Sequence, residues 1–402
     1  MYKNRTLTNT VLDISKDFKS ILITGMRQVG KTTFLKNISD NERKYVTFDN
    51  PKDLLLAKNE PEFFLQTYEP PVLIDEIQYV PEIFAYIKMF VDNINEKGTV
   101  WMTGSQAYSL MKGVTESLAG RIAIINMLGL SIYEKENKAE MQKPFFPSFS
   151  PPSIINKKDL LATYHNIWKG SYPEILDIAD ERWSVFYSSY VQSYIERDVR
   201  QIVNIVNETS FMKFLKTTAA RTAQELNITD IAKDVDISPN TVKQWLSILE
   251  SSGIIYLLKP YYKNITKRYI KRPKLYFLDT GLCAYLTDWN TPQVLESGAM
   301  SGAFFETFVI GEIIKSYYHN GQAPTFYYYR DTNKVEIDLL IERDGSFYPI
   351  EIKKTSNPDT NDIKAFATFA KIEQCGYGSL ICLTDNARPL TDNANAISIW
   401  DI

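Results

Sequence analysis

The chain has 402 residues, is 44% hydrophobic and 23% charged, and carries a formal net charge of −3. That length suggests two or three domains at roughly 150 residues each, with the composition of an ordinary soluble globular protein. The overall charge does not by itself indicate a nucleic-acid binder, so charge has to be read segment by segment. Three cysteines, Cys283, Cys375 and Cys382, form no zinc or redox spacing, and a sparse odd count fits a reducing compartment. No apolar run reaches the roughly 18 residues that span a bilayer. The polar N-terminus is no secretory signal, so the expectation is a cytoplasmic protein without a membrane partner. The two histidines, His165 and His319, are far apart and suggest neither a triad nor a zinc site.

Residues 20–132 alternate short apolar runs ("SILITG", "KYVTFDN", "PVLIDE", "TVWMTGS", "RIAIINM") with helical patterns. Such runs suit strands of a parallel α/β sheet covered on both faces. The first run leads into Gly25-x-x-x-x-Gly30-Lys31-Thr32 and then a helix. This is the Walker A pattern in its strand–loop–helix setting. Gly25, Met26, Arg27, Gln28, Val29, Gly30, Lys31, Thr32 and Thr33 form the expected ATP cradle. Backbone N–H groups at a helix N-terminus hold phosphate, Lys31 reaches the β- and γ-phosphates, and Thr32 binds Mg²⁺. "PVLIDEIQ" supplies the partner strand: Asp75 holds Mg²⁺ through water and Glu76 polarises the attacking water. "TVWMTGSQ" ends in Ser105, a candidate γ-phosphate sensor, with Gln106 as a weaker substitute; a strand-to-turn cap would look the same. "SLAGRIAI" offers Arg121 as a trigger arginine in cis or in trans, and an ordinary surface arginine would look no different.

The segments "GMRQVGKTTFLKN", "VLIDEIQYVPEIFAYIK" and "TGSQAYSLMKGVTESLAGR" resemble a widespread prokaryotic family of AAA-superfamily ATPases. In that family a C-terminal module of unassigned function follows the ATPase. "YIERDVRQI", "TAARTAQELN" and "KLYFLDTGLCAYL" resemble that module, so the likeness covers nearly the whole chain. "GSQ" departs from the family's expected "GSS". The resemblance implies the chemistry more than the cellular role.

A Pro-, Ser- and charge-rich linker is expected at 135–158, after a P-loop domain over 1–134. Residues 159–226 read as a helical lid. Residues 227–275 have the rhythm of a winged helix. Ser238 is a good N-cap, Pro239 a good first helical residue, and Gly253 a good stop. Asn240, Thr241, Lys243 and Gln244 would stand where a recognition helix meets base edges. "YYKNITKRYIKRPK" follows, with Lys263, Lys267, Arg268, Lys271, Arg272 and Lys274 and no acid. Residues 238–274 are therefore the candidate DNA contact. A protein-docking module or a solvated hairpin is the competing reading.

Residues 276–402 read as a second α/β unit. In "VEIDLLI", strict alternation would turn Asp338 away from Ile337 and Leu339. In "YPIEIKK", Glu351 and Lys353 share a face. Asp338 followed by Glu351-x-Lys353 resembles the PD-(D/E)XK phosphodiesterase fold. That resemblance implies Mg²⁺ on Asp338, Glu351 and the Ile352 carbonyl, Lys353 as catalytic lysine, and Glu306 as an extra acid. Three hypotheses follow: an ATP-driven DNA-cutting machine, an ATP-controlled DNA binder, or a nucleotide-gated signalling switch with a protein partner. A homo-oligomer is compatible with each.

Overall fold

The computed structural model describes residues 2–105, 118–194 and 208–402. The five expected apolar runs form β1 (Ser20–Thr24), β2 (Lys44–Thr47), β3 (Val72–Asp75), β4 (Val100–Gly104) and β5 (Ile122–Asn126). They make one parallel sheet in the order β2-β3-β4-β1-β5. The central β1, β3 and β4 are buried along their whole length. That explains their unbroken apolar character, because helices cover both faces of a parallel sheet. β4 lies between β1 and β3, so the ends of all three strands converge beside the loop that follows β1.

The stretch 135–158, expected as a linker, is instead a packed strap. Phe145 and Ile155 are buried, and the Phe145 N–H donates to Ser316 Oγ at 2.9 Å. Apolar residues among its prolines and serines are what tie it down. The helices Leu160–Lys169, Trp183–Tyr194 and Glu208–Ala219 follow. Next come β6 (Gln224–Glu225), the helices Ile228–Val235 and Pro239–Ser251, β7 (Ile255–Leu258) and β8 (Lys274–Phe277). These three strands form an antiparallel sheet ordered β6-β8-β7. The expected domain boundary at 275/276 falls inside β8.

The helix Ser301–Tyr318 runs through the middle of the molecule and is buried nearly all round. After it come β9 (Phe326–Arg330), β10 (Glu336–Arg343), β11 (Ser346–Ile352), the helix Lys364–Phe369, and β12 (Gly378–Cys382). Two further strands, β13 (Arg388–Thr391) and β14 (Ala394–Ser398), were not expected. β13 is polar and carries a proline, and β14 is short and rich in small residues, so neither shows an apolar period. The sheet order is β13-β14-β12-β11-β10-β9. One continuous hydrophobic core joins β1, the middle helices and the helix Ser301–Tyr318.

Candidate functional site

Gly25 has φ 142°, and a Cβ there would lie 2.1 Å from the Met127 carbonyl oxygen, so only glycine fits. Gly30, with φ 88°, turns the chain into the helix Lys31–Ile38. Lys31 is buried, and its ammonium donates to the carbonyls of Gly25 (3.0 Å) and Met26 (2.8 Å). Val29 is buried and its carbonyl accepts from Arg5 Nη1 at 3.2 Å. Met26 accepts a contact from the Tyr172 hydroxyl at 3.6 Å, and Arg27 is half-buried beside it. Gln28 and Thr33 are exposed. A hollow of about 280 Å³ opens beside Gly30 and Thr33, lined in part by Tyr2, Lys3, Arg5, Met127 and Pro173. Nothing in the sequence pattern marked Tyr2, Lys3 or Arg5, because their place depends on the fold bringing the N-terminus to the loop.

Thr32 Oγ1 donates to Asp75 Oδ1 at 2.7 Å, which joins the two Walker elements directly. The same carboxylate accepts from Thr103 on β4 and from the Tyr45 hydroxyl at 3.0 Å. Glu76 leaves β3 in a left-handed conformation (φ 57°), and its N–H donates to Thr103 Oγ1 at 3.2 Å. Gln78 donates both to the Glu76 carboxylate and, at 3.2 Å, to Ser105 Oγ. Burial pushes the Glu76 carboxyl above its ordinary range, and the Lys31 charge pulls it partly back. A carboxylate tuned upward is a better proton acceptor. Ser105 thus reaches Glu76 through Gln78, a link that spacing alone did not show. Gln106 lies outside the described residues.

Arg121 stands elsewhere. It precedes β5 at the edge where β1 begins, and its carbonyl accepts from Ser20 N at 3.2 Å. Five residues of β1, about 3.3 Å each, separate that edge from the P-loop. Its guanidinium is held by Asp92, with one contact of 3.1 Å. Of the roles expected for Arg121, this position gives no support to one in cis.

In the middle region the Ser238 hydroxyl accepts from Thr241 N at 3.1 Å and starts the second helix of the pair. Asn240, Lys243 and Gln244 are exposed and Thr241 half-buried, while Val242, Trp245, Leu246 and Leu249 are buried. The basic stretch is less uniform than its sequence. It holds a short helix, Ile265–Ile270. Lys263, Lys267, Lys271 and Arg272 are exposed. Arg268 is not free: it stacks over Tyr261 and Tyr327, donates to the Tyr262 carbonyl at 2.7 Å and lies 3.6 Å from Glu342. Lys274 is 4% exposed and points inward. Two of the six expected phosphate contacts are therefore committed elsewhere.

Lys274 ends in an acidic cluster of the C-terminal unit. Its ammonium lies 2.5 Å from Glu336, 3.3 Å from Asp338 and 3.3 Å from Glu306. The Tyr276 hydroxyl donates to Glu306 Oε1 at 2.6 Å. β10 and β11 are antiparallel with Leu339 opposite Ile350, so the next step of the register sets Asp338 opposite Glu351. Asp338 Oδ2 accepts from Ile352 N at 3.0 Å. Glu351 Oε1 pairs with Lys353 at 2.7 Å, and Glu351 Oε2 is buried without a hydrogen-bond partner. Burial and the Asp338 charge push the Glu351 carboxyl up to about 8 and the Glu306 carboxyl up to about 7. Burial alone would lower the Lys274 ammonium, but Tyr276, Glu306 and Asp338 raise it. Asp338 lies opposite Glu351, Glu351 pairs with Lys353, and Glu306 joins Asp338 through Lys274. The strict alternation expected in β10 does not hold. Ile337 packs with Leu340 in one cluster and Leu339 with Ile341 and Ile350 in another. The register against β9 shifts between Ile337 and Leu340, a bulge of the kind that re-aims a side chain.

Among the described residues no group of three or more His, Cys, Asp and Glu side chains is placed to hold a metal ion. No helix among them is long and apolar enough to cross a membrane.

Comparison with known proteins divides the chain in three. Residues 17–135 match a family described as "AAA domain". Residues 161–293 and 301–402 match two domains of unknown function, DUF8612 and DUF4143. The match and the five-stranded parallel sheet support an AAA-type P-loop ATPase domain in the first part. Uncharacterized protein Rv2008c of Mycobacterium tuberculosis is 27% identical over 340 residues, 84% of this chain and 71% of that protein. Uncharacterized protein Mb2031c of Mycobacterium bovis matches to the same extent. Among solved structures, the RuvB Holliday junction branch migration motor of Thermotoga maritima is 16% identical and covers 63% of this chain and 90% of its own. Its TM-score of 0.32 is too low to bear on function.

Proposed function

We propose that this protein is a Mg²⁺-dependent ATPase that engages DNA through the exposed residues of the stretch 238–272. The observation that carries the ATPase reading is the Thr32–Asp75 hydrogen bond at 2.7 Å, with the Lys31 ammonium held on the loop's own carbonyls. The Thr32 hydroxyl and the Asp75 carboxylate form an oxygen pair that suits a hard divalent cation. When bound, Mg²⁺ supplies charge neutralisation at the terminal phosphates. Lys31 exchanges its carbonyl partners for phosphate oxygens. Glu76, held by Gln78 and raised by burial, accepts a proton from the attacking water. Ser105, on the same Gln78, orients that water or the γ-phosphate. The hollow beside Gly30 and Thr33 is the natural seat for the nucleoside. Arg121 retains a role only in trans, within a homo-oligomer.

The DNA reading rests on the exposed helix start at Asn240, Lys243 and Gln244 and on the exposed Lys263, Lys267, Lys271 and Arg272. The helix pair with an antiparallel strand pair after it supports a winged helix. The order helix, three strands, helix, strand from Ser301 to Cys382 supports a PD-(D/E)XK-like unit. A second reading has its own observation: Ile265, Tyr269 and Ile270 are 65%, 70% and 74% exposed on the short basic helix. An apolar face of that kind suits a protein partner, as a nucleotide-gated switch would require.

The test is DNA affinity against salt, with ATP turnover measured in parallel, for wild type and for a variant with Lys263, Lys267, Lys271 and Arg272 all changed to Ala. The proposal expects weaker binding to every sequence and a salt slope flatter by up to about one unit per contact removed. An unchanged slope would reject the DNA surface and favour the switch.

A further inference from the structure

We propose that Lys274 is the resident cation of the C-terminal acidic cluster, so that this cluster excludes divalent metal rather than binding it. The PD-(D/E)XK resemblance implies Mg²⁺ on Asp338, Glu351 and Glu306, and the residues present do not fit that role. An ammonium already lies among these carboxylates, within 3.3 Å of Glu306 and Asp338 and 2.5 Å from Glu336, and it occupies the Asp338 oxygen that a divalent ion would share. Lys274 is itself almost wholly buried. Its strand β8 is fixed by Leu275 and Phe277, core residues paired with β7.

Other oxygens of the cluster have partners as well. Asp338 Oδ2 is satisfied by the Ile352 N–H, Glu306 Oε1 by the Tyr276 hydroxyl, and Glu351 Oε1 by Lys353. Among the described residues, Glu351 Oε2 is the oxygen of this cluster that is fully buried without a hydrogen-bond partner, and a single oxygen does not make a hard-cation site, which takes six or more ligands counting water. Two opposed carboxylates are relieved by a shared proton or by a cation between them, and here the chain supplies a cation of its own.

The origin of that cation matters. Lys274 and Tyr276 belong to β8, in the sheet that follows the helix pair, whereas Glu306, Glu336 and Asp338 belong to the C-terminal unit. The cluster is therefore also an electrostatic clamp between the middle and C-terminal units. The same residue cannot serve as a phosphate contact of the basic stretch.

The test is Mn²⁺ binding to the nucleotide-free full chain, read from the electron paramagnetic resonance signal of free Mn²⁺. An Asp75→Asn background removes the P-loop site. In that background we expect no bound Mn²⁺, gain of one Mn²⁺ per chain with Lys274→Met, and its loss again when Asp338→Asn is added. Lys274→Arg should keep the metal out. Bound Mn²⁺ in the Asp75→Asn parent that Asp338→Asn removes would overturn the proposal, and that pair reads out even if Lys274→Met does not fold. A folded Lys274→Met variant that gains no metal would equally overturn it.

Discussion

Two buried lysines of this molecule sit beside clustered carboxylates, and they are held in different ways. Lys31 donates to the backbone carbonyls of its own loop, while Asp75 beside it is occupied by Thr32, Thr103 and Tyr45. Lys274 is held by Glu306, Glu336 and Asp338. In the proposed function Lys31 exchanges its two carbonyls for phosphate oxygens. Three carboxylates are a strong competitor, so Lys274 is already spent. The difference is that Lys274 faces full negative charges, whereas the two carbonyls on Lys31 offer only dipoles. Lysine plus acids is thus a sign of catalysis only when the lysine's present partners are easy to replace.

The largest effect that would sharpen this contrast is on turnover. Lys31→Ala should lower ATP hydrolysis by on the order of a hundred- to a thousandfold with little change in melting temperature. Steady-state phosphate release and a thermal melt on the same sample decide it. A large loss of stability without loss of rate would make Lys31 a structural residue like Lys274.

Lys274→Met should do the reverse. Leaving buried carboxylates without their cation costs about 3–5 kcal/mol, read as a shift in the urea unfolding midpoint, while ATP turnover of the folded protein stays near wild type. Asp338→Asn on top should recover part of the loss, because it removes one of the stranded charges. A Lys274→Met protein as stable as wild type would break the comparison from the other side.

A smaller change is expected at Ser105. Its hydroxyl reaches Glu76 only through Gln78, so Ser105→Ala should slow hydrolysis roughly tenfold, about 1.4 kcal/mol of barrier, with KM for ATP unchanged. A rise in KM at constant kcat would instead assign Ser105 to ground-state binding. The smallest effect belongs to Arg121→Ala. The side chain faces Asp92 at the far edge of the sheet, so turnover at low protein concentration should not change. A loss that grows with protein concentration would reveal a role across subunits.

Much of this was legible in the sequence because it is local. The P-loop needs glycines at fixed offsets, and Glu351 and Lys353 share a face by the pleat alone. The unexpected features are long-range. Gln78 joins Glu76 to Ser105 only because β4 lies beside β3, an order that periodicity does not encode. Arg121 looked available until the parallel sheet put it at the opposite edge from Gly25. Lys274 read as one more cation of a basic run, since nothing in "KRPK" reveals that a strand turns its last lysine into the core. The bulge in β10 escaped for the same reason: alternation describes an ideal strand, and Ile337 and Leu339 belong to a bent one.

Glu76→Gln tests the account most directly, because it spares the cradle and removes only the proton acceptor. ATP binding, followed with a fluorescent nucleotide, should persist near wild-type affinity. Hydrolysis should fall by about a hundred- to ten-thousandfold. A variant that binds ATP and hydrolyses it at the wild-type rate would contradict the assignment of the N-terminal site.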